Sequence, residues 1–226
     1  MIIALDIETI PNPAAVALMP EPEVKTGNLK DPAKIAEKVA EAKLAQTEKA
    51  ALDPLTARIA CFAAVGTKTP ESEVTEVSST ITEATDDAER DIVQFLMKIL
   101  GTPDLRLITC NGFEFDIPMI YKRAMLLGVS PKNFSAPPLT AWTRKYNTEH
   151  HCDLAQVWNG WKNGYVKLDL LSKFVLGDHK TEDIDVATFA AMIETEEGRA
   201  KIEEYCLQDT RLTYRLWERF SGLLFA

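Results

Sequence analysis

Four acidic residues in three separate parts of the chain have the types and the spacing of a carboxylate site for metal ions. Asp6 and Glu8 lie two residues apart in an almost wholly apolar N-terminal segment, so on a strand their side chains project to the same side. Asp116 stands at the predicted start of a central helix, and Asp209 lies in the last predicted helix, four residues after Tyr205 and on the same face. Converging carboxylates bind hard divalent cations, which activate water for hydrolysis.

Each part of this set also has a purely structural interpretation. A second Asp-x-Glu pair, Asp87-Ala-Glu89, falls in the first turn of a predicted helix, where acids interact favourably with the macrodipole. Taken alone, Asp116 fits an ordinary helix cap, and Tyr205 with Asp209 fits a solvated stripe. The N-terminal pair differs from Asp87-Ala-Glu89 because it lies at the end of a predicted buried strand.

The elements that must position these residues follow from hydrophobic periodicity and from Gly and Pro signals. Strands are predicted at 1–7, 57–66, 73–79 and 104–110, and helices at 31–51, 86–100, 116–127, 167–176, about 185–195 and 197–221. We expect the first strand to end at its acids, and residues 130–165 to form loops with one short strand or turn near 150–154. This order predicts an α/β fold, a mixed sheet flanked by helices on both faces. A single domain over 1–226 is expected, with an inserted loop and helix at about 12–56.

Three sequence blocks resemble, in order, those of the DEDD 3′-to-5′ exonucleases: DIET at 6–9, NGFEFD at 111–116 and YCLQD at 205–209. The tyrosine four residues before the last aspartate matches the tyrosine subgroup, DEDDy. The sequence is most similar to stand-alone relatives of the proofreading exonuclease of family B DNA polymerases, and PLTARIACFA and KLDLLSKF are also in keeping with them. The resemblance implies a ribonuclease H-like fold and hydrolysis of a nucleic acid from its 3′ end.

The same resemblance implies a role for each block residue. Asp6, Glu8 and Asp209 are expected to hold the ion that activates water, with Asp6 bridging to a second ion that Asp116 contacts directly or through water. Oxygen ligands select Mg²⁺ or Mn²⁺, and two such ions are expected. Tyr205 is expected to orient the attacking water, because a phenol with a pKa near 10 is a poor base.

Four further residues are expected substrate contacts: Thr9, Asn111, Phe115 and Lys180. Between 122 and 180 there are nine basic residues against four acids, a pattern that favours a groove for a single strand. That segment holds Trp142, Trp158, Trp161, Tyr146 and Tyr165. The alternative is that its tryptophans belong to the core. The run His150–Asp153 fits a turn or a strand better than a zinc site, because adjacent residues rarely chelate one ion.

Composition limits the classes of protein that fit. The net charge of −9 excludes a nonspecific coating protein for nucleic acid, because such affinity comes from Lys and Arg. No apolar run is long enough to predict a membrane span, and no secretory signal or Cys-x-x-Cys pair is evident. We expect a cytoplasmic protein without a membrane partner, with any replication or repair partner acting in trans.

The sequence thus predicts a metal-dependent 3′-to-5′ exonuclease that degrades single-stranded DNA to nucleoside 5′-monophosphates. RNA as substrate is the nearest alternative. A non-catalytic module that binds nucleic acid or a partner on the same fold, and a phosphohydrolase acting on small nucleotides, are the alternatives from other classes.

Overall fold

A mixed sheet forms the centre of the protein, seen in a computed structural model that describes residues 1–25, 27, 31–69, 71–162, 164, 166–178 and 184–224. Within those ranges the sheet has five strands, β1 (Ile2–Pro11), β2 (Ala57–Thr67), β3 (Thr75–Thr80), β4 (Arg106–Thr109) and β5 (His151–Asp153). Their spatial order is β3-β2-β1-β4-β5; β1, β2 and β3 are antiparallel neighbours, and β4 and β5 continue from β1 in parallel. The predicted α/β class and ribonuclease H-like arrangement are confirmed.

Helices cover both faces of this sheet. They are α1 (Pro13–Val16), α2 (Pro32–Ala50), α3 (Asp86–Leu100), α4 (Asp116–Leu126), α5 (Leu139–Trp142), α6 (Leu154–Trp158), α7 (Leu168–Leu176), α8 (Phe189–Met192) and α9 (Glu196–Leu224). Short 3-10 turns at Pro131–Phe134 and Val186–Thr188 join some of them. Successive residues of β1 enter different cores, since Leu5 packs with α3 and α4 while Ala4 packs with α7 and the end of α9. Among the described residues, no helix is long and apolar enough to cross a membrane.

The prediction that the first strand ends at its acids is wrong. β1 continues to Pro11 because β2, buried along its whole length, supplies a pairing partner at every step as far as Ala57. Asp6 pairs with Ala63 and Glu8 with Cys61, and the register shifts between Glu8 and the next residue. Such irregularities bend a strand and reorient its side chains, and they are common beside active sites.

The segment 12–56 leaves the sheet at the end of β1 and returns to it at the start of β2. The Asn12 N–H donates to the Thr56 carbonyl at 2.7 Å, and this hydrogen bond joins the two ends of the segment. The predicted helix at 31–51 is confirmed as α2, with Asp31 accepting from the Ala33 N–H at 3.0 Å and Pro32 at the first helical position. The single-domain boundaries with an insertion remain a prediction.

Two predictions for the C-terminal half need correction. The helix expected at about 185–195 is a 3-10 turn followed by the single turn of α8, and residues 130–165 contain α5 and α6 besides the expected strand β5. These helices are only four or five residues long, which is too short for a periodic signal in the sequence.

Candidate active site

The acids of β1 converge on the side chain of a cysteine in α9. One ligand-type atom from each of Asp6, Glu8 and Cys206 lies within 4.8 Å of the others. Asp6 and Glu8 are half-buried on one face of β1, while Ile7 between them is buried on the other. This arrangement brings the two N-terminal acids together, as the strand spacing predicted.

Cys206 has the wrong chemistry for a ligand of a hard cation. Burial raises the pKa of its thiol well above the ordinary value, and a hydrogen bond with Cys61 and the charges of Asp6 and Glu8 raise it further. The neutral thiol is placed to donate to Asp6 Oδ2 at 3.7 Å. Cys206 therefore serves as the packing and hydrogen-bonding contact through which α9 meets the acids of β1.

Asp116 joins this group from the first residue of α4. Its side chain is 3% exposed, and its Oδ1 accepts from the Ile7 N–H at 3.1 Å, so the carboxylate is tied to β1 midway between the two acids. Burial raises the pKa of Asp116 to about 7, although the hydrogen bonds from Ile7 and from its own backbone N–H favour the charged form. A buried carboxylate whose ionised form is disfavoured in this way is stabilised by a nearby cation.

The loop before Asp116 has a backbone that few residues could adopt. Asn111 has φ +77°, and a Cβ on Gly112 would lie 2.6 Å from the Thr109 side chain, so a glycine is required there. Asp153, at the end of β5, holds this loop: its Oδ1 accepts from the Asn111 N–H at 3.0 Å and its Oδ2 from the Phe113 N–H at 2.7 Å.

Asp153 positions the site loop, a structural role that the sequence alone does not predict. It is 1% exposed, and besides the loop it caps α6 by accepting from the Ala155 and Gln156 N–H groups. The sequence predicts a strand or turn with ordinary packing at His150–Asp153, and the strand is confirmed as β5. The signal available was an aspartate placed directly between a strand and a predicted loop.

The long helix α9 carries Tyr205 and Asp209 on either side of Cys206. Asp209 is 8% exposed, and the partly buried Tyr205 ring meets Phe189 edge-on at 5.6 Å between centroids. The helix packs across β1, β2 and β3. It is tied to β3 by two contacts that flank the site residues: Ser78 donates to Glu203 at 2.6 Å, and Arg211 donates twice to Glu76 at 2.9 and 2.7 Å.

The half-buried thiol of Cys110 lies near the same acids. Burial raises the pKa of the Cys110 thiol well above its usual value, and the negative charges of Asp153, Asp6, Asp116 and Asp209 raise it further. Carboxylates from β1, α4, β5 and α9 thus lie within electrostatic range of one sulfur. An oxygen-rich, negatively charged and largely buried donor set of this kind fits Mg²⁺ or Mn²⁺.

The structure places the expected substrate contacts as follows. The Thr9 hydroxyl donates to the Ala51 carbonyl at 2.7 Å and ties β1 to the end of α2. Asn111 lies half-buried in the loop that Asp153 holds, and Phe115 packs its half-buried ring on the core. Lys180 lies outside the described residues. A role of these residues in substrate binding stays a prediction.

The aromatic residues of 122–180 separate into different environments. Trp142 is 4% exposed and donates to the Tyr121 hydroxyl at 2.9 Å, so it belongs to the core. Trp158 is exposed and stacks on Phe220 of α9. Trp161 has a different partner, since it meets the ring of Phe113, in the loop before Asp116, edge-on. Tyr165 lies outside the described residues.

The fold and the acidic site define an α/β domain of the exonuclease type, and comparison with known proteins agrees. Residues 52–224 match the family described as "Predicted 3'-5' exonuclease related to the exonuclease domain of PolB". The chain belongs to this family, which supports 3′-5′ exonuclease activity. The matched range includes Asp116, Tyr205 and Asp209, while Asp6 and Glu8 precede it and join the site through the pairing of β1 with β2.

Curated relatives are DNA polymerases of archaea. The chain is 32% identical over 144 residues to the DNA polymerase of Thermococcus aggregans, a match that covers 58% of this chain and 8% of the polymerase. It is 31% identical over 144 residues to the DNA polymerase of Thermococcus litoralis, covering 58% of this chain and 8% of that protein. It is 30% identical over 148 residues to DNA polymerase 1 of Aeropyrum pernix, covering 62% of this chain and 14% of that protein. The chain therefore spans a small part of the length of these relatives.

Proposed function

We propose that the protein is an exonuclease of the tyrosine subgroup that hydrolyses single-stranded DNA from the 3′ end to nucleoside 5′-monophosphates, using two divalent ions. The observation that carries the proposal is the meeting of two acids of β1 with α9 and the attachment of an acid of α4 to the same strand: Asp6 and Glu8 converge at Cys206, and the Ile7 N–H between them donates to Asp116. DNA is favoured over RNA because the curated relatives are DNA polymerases.

Each acid has a role that suits its position. Asp6, Glu8 and Asp209 would hold the ion that activates water, and Asp6 with Asp116 would hold the second. When bound, Mg²⁺ or Mn²⁺ supplies an activated water and stabilises the charge on the departing 3′-oxygen. The oxygen donors of the half-buried β1 pair face α9, so the ions would sit between the sheet and this helix.

Two side chains would position the reacting groups. Asp116 is fixed by the Ile7 N–H, so its carboxylate is held before any ion arrives. Tyr205 would orient the attacking water, and its ring packs edge-on against Phe189. This arrangement requires little movement of the protein during catalysis.

The test is incubation of 5′-labelled single-stranded DNA and RNA of the same sequence with the protein in Mg²⁺ or Mn²⁺. We expect a ladder that shortens stepwise from the 3′ end of the DNA and disappears in EDTA and in Asp116→Ala. The matched control is Asp87→Ala, which removes an exposed aspartate paired with Arg90 on the other Asp-x-Glu sequence and should retain full activity.

Each of the other outcomes would contradict part of the proposal. Faster shortening of RNA would make this an RNA exonuclease. Binding without shortening would favour the non-catalytic module, and release of phosphate from free nucleotides alone would favour the phosphohydrolase. An equal loss of activity in Asp87→Ala and Asp116→Ala would contradict the assignment of Asp116 to a metal site.

A further inference from the structure

Three aromatic side chains form a continuous ring cluster beside the candidate active site. Phe113 meets Trp161 edge-on with 5.8 Å between ring centroids, and Trp161 meets Tyr146 at 5.4 Å with the rings tilted by 53°. We call Phe113, Trp161 and Tyr146 the ring cluster. Its members come from three different connections of the chain, so tertiary structure brings them together.

The ring cluster is joined to the catalytic acids through one loop. Phe113 lies three residues before Asp116, and its N–H donates to the same Asp153 carboxylate that holds Asn111. Its half-buried ring is stacked on His151, with 6.5 Å between centroids. The cluster therefore begins at the loop that delivers Asp116 and extends away from it toward Tyr146.

The outer end of the ring cluster is open to solvent. Tyr146 is 73% exposed although it is an aromatic residue in contact with another ring. Tyr146 and Trp161 also have φ values of +63° and +60°, a backbone region that bulky residues rarely adopt. Such outliers are characteristic of sites where function determines the position of a side chain.

The charge around the ring cluster suits a nucleic acid. Arg144 and Lys145 directly precede Tyr146, and Lys162 directly follows Trp161; all three are exposed. In proteins that bind single strands, bases stack on rings while cations track the phosphates, and every base can use the same ring because each has an aromatic face. A duplex offers no free base faces along its length.

We propose that the ring cluster stacks the unpaired bases of the substrate strand as it enters the carboxylate site. The inference rests on the proposed exonuclease function and deepens it, because it assigns the single-strand preference to Tyr146, Trp161 and Phe113. Tyr146, as the exposed member, is the residue whose ring can be removed with least effect on folding.

The experiment compares Tyr146→Asn with Tyr146→Phe. Asparagine tolerates the positive φ but lacks a ring, whereas phenylalanine keeps the ring. The matched control is Phe95→Leu, which alters a partly exposed ring lining a surface cavity with Met1 and Ile3, at the opposite end of β1 from Glu8. Two substrates are used: a single-stranded oligodeoxynucleotide, and thymidine 5′-(p-nitrophenyl phosphate), which has no neighbouring base.

We expect Tyr146→Asn to raise KM for the oligonucleotide roughly 10-fold, the effect of losing one base-ring stack. Hydrolysis of the nitrophenyl ester should be unchanged, and Tyr146→Phe and Phe95→Leu should behave as wild type on both substrates. An unchanged KM in Tyr146→Asn, or an equal loss on both substrates, would overturn the stacking surface.

Abasic substrates separate stacking from other effects of the ring. For an oligonucleotide with abasic sites just before its 3′ end, the KM of the wild type should be higher than for the intact strand by a similar factor. In Tyr146→Asn, removing the bases should raise KM little further, because both changes abolish the same stack. Additive effects would overturn the proposal. If the wild type hydrolyses neither substrate, the proposed function fails. The ring cluster can then be tested by binding alone, with oligonucleotide added in Ca²⁺. Quenching of tryptophan fluorescence in the wild type but not in Tyr146→Asn would still support stacking on the ring cluster.

Discussion

Two buried aspartates contact the loop at 111–115 and differ in their surroundings. Asp153 is 1% exposed and accepts hydrogen bonds from four backbone N–H groups, those of Asn111, Phe113, Ala155 and Gln156. Asp116 is 3% exposed, and burial raises its pKa to about 7.

This difference separates a structural carboxylate from a candidate catalytic one. Four hydrogen bonds from backbone N–H groups to Asp153 fix the loop and the start of α6. In Asp116, burial outweighs the hydrogen bonds that favour the anion, which is typical of residues kept for function rather than for stability. Asp153 should therefore matter for folding and Asp116 for activity.

The largest expected effect is on activity, in Asp116→Asn. Loss of this charged ligand should reduce exonuclease kcat by about 1000-fold or more, the scale of removing an electrostatic contact to the transition state. The free energy of unfolding should stay equal or rise, because an uncompensated buried carboxylate is removed. Steady-state kinetics and urea unfolding measure both quantities, and a strongly destabilised but active variant would reverse the comparison.

The next effect is on stability, in Asp153→Ala. Four N–H groups, two of them buried and two part-buried, lose their acceptor, and the free energy of unfolding should fall by about 3 kcal/mol or more. The control is Asp31→Ala at an exposed helix cap that accepts from the Ala33 N–H, and this change should cost only about 1 kcal/mol. Equal losses in urea unfolding would show that Asp153 is an ordinary cap.

A smaller effect is expected from metal binding. At saturating Mg²⁺ or Mn²⁺ the melting temperature of the wild type should rise by a few degrees, because the ions bind the folded state and relieve repulsion among the acids. In Asp116→Asn the metal should raise the melting temperature by less than in the wild type. In Asp153→Asn the melting temperature without metal should be lower, and the increase on adding metal should be the same as in the wild type. Differential scanning fluorimetry in EDTA and in metal gives both values.

The smallest effect is expected at the surface contact that holds α9 to β3. Hydrogen bonds from Arg211 lower the pKa of Glu76, so this pair stabilises the fold above the ordinary Glu pKa and loses that contribution as pH falls through the lowered value. Glu76→Gln should cost at most about 1 kcal/mol, and less at high salt. A larger loss would show that the position of α9 depends on this pair.

The sequence predicted the elements with strong periodicity or clear caps. The helix 86–100 and the acids on β1 followed from apolar spacing and from position after a buried segment, and the structure has α3 at the same bounds. The end of β1 was predicted wrongly because it depends on pairing with β2, a long-range contact that local sequence does not report. The short helices α5, α6 and α8 depend on tertiary packing in the same way.

The site was predictable as residue types and not as contacts. The blocks at 6–9, 111–116 and 205–209 gave the acids, but nothing in them indicated that Cys206 would be the residue of α9 that contacts Asp6. The role of Asp153 depends on the parallel pairing of β5 with β4, which brings residues about forty positions apart onto one loop.

The most direct test of the account is a Mn²⁺ titration followed by electron paramagnetic resonance, in which the signal of free Mn²⁺ disappears as the ion binds. We predict two bound ions in the wild type, fewer in Asp116→Asn, and the wild-type number in Asp87→Ala. Equal binding by all three proteins, or no binding by the wild type, would contradict the assignment of Asp6, Glu8, Asp116 and Asp209 as a two-ion site.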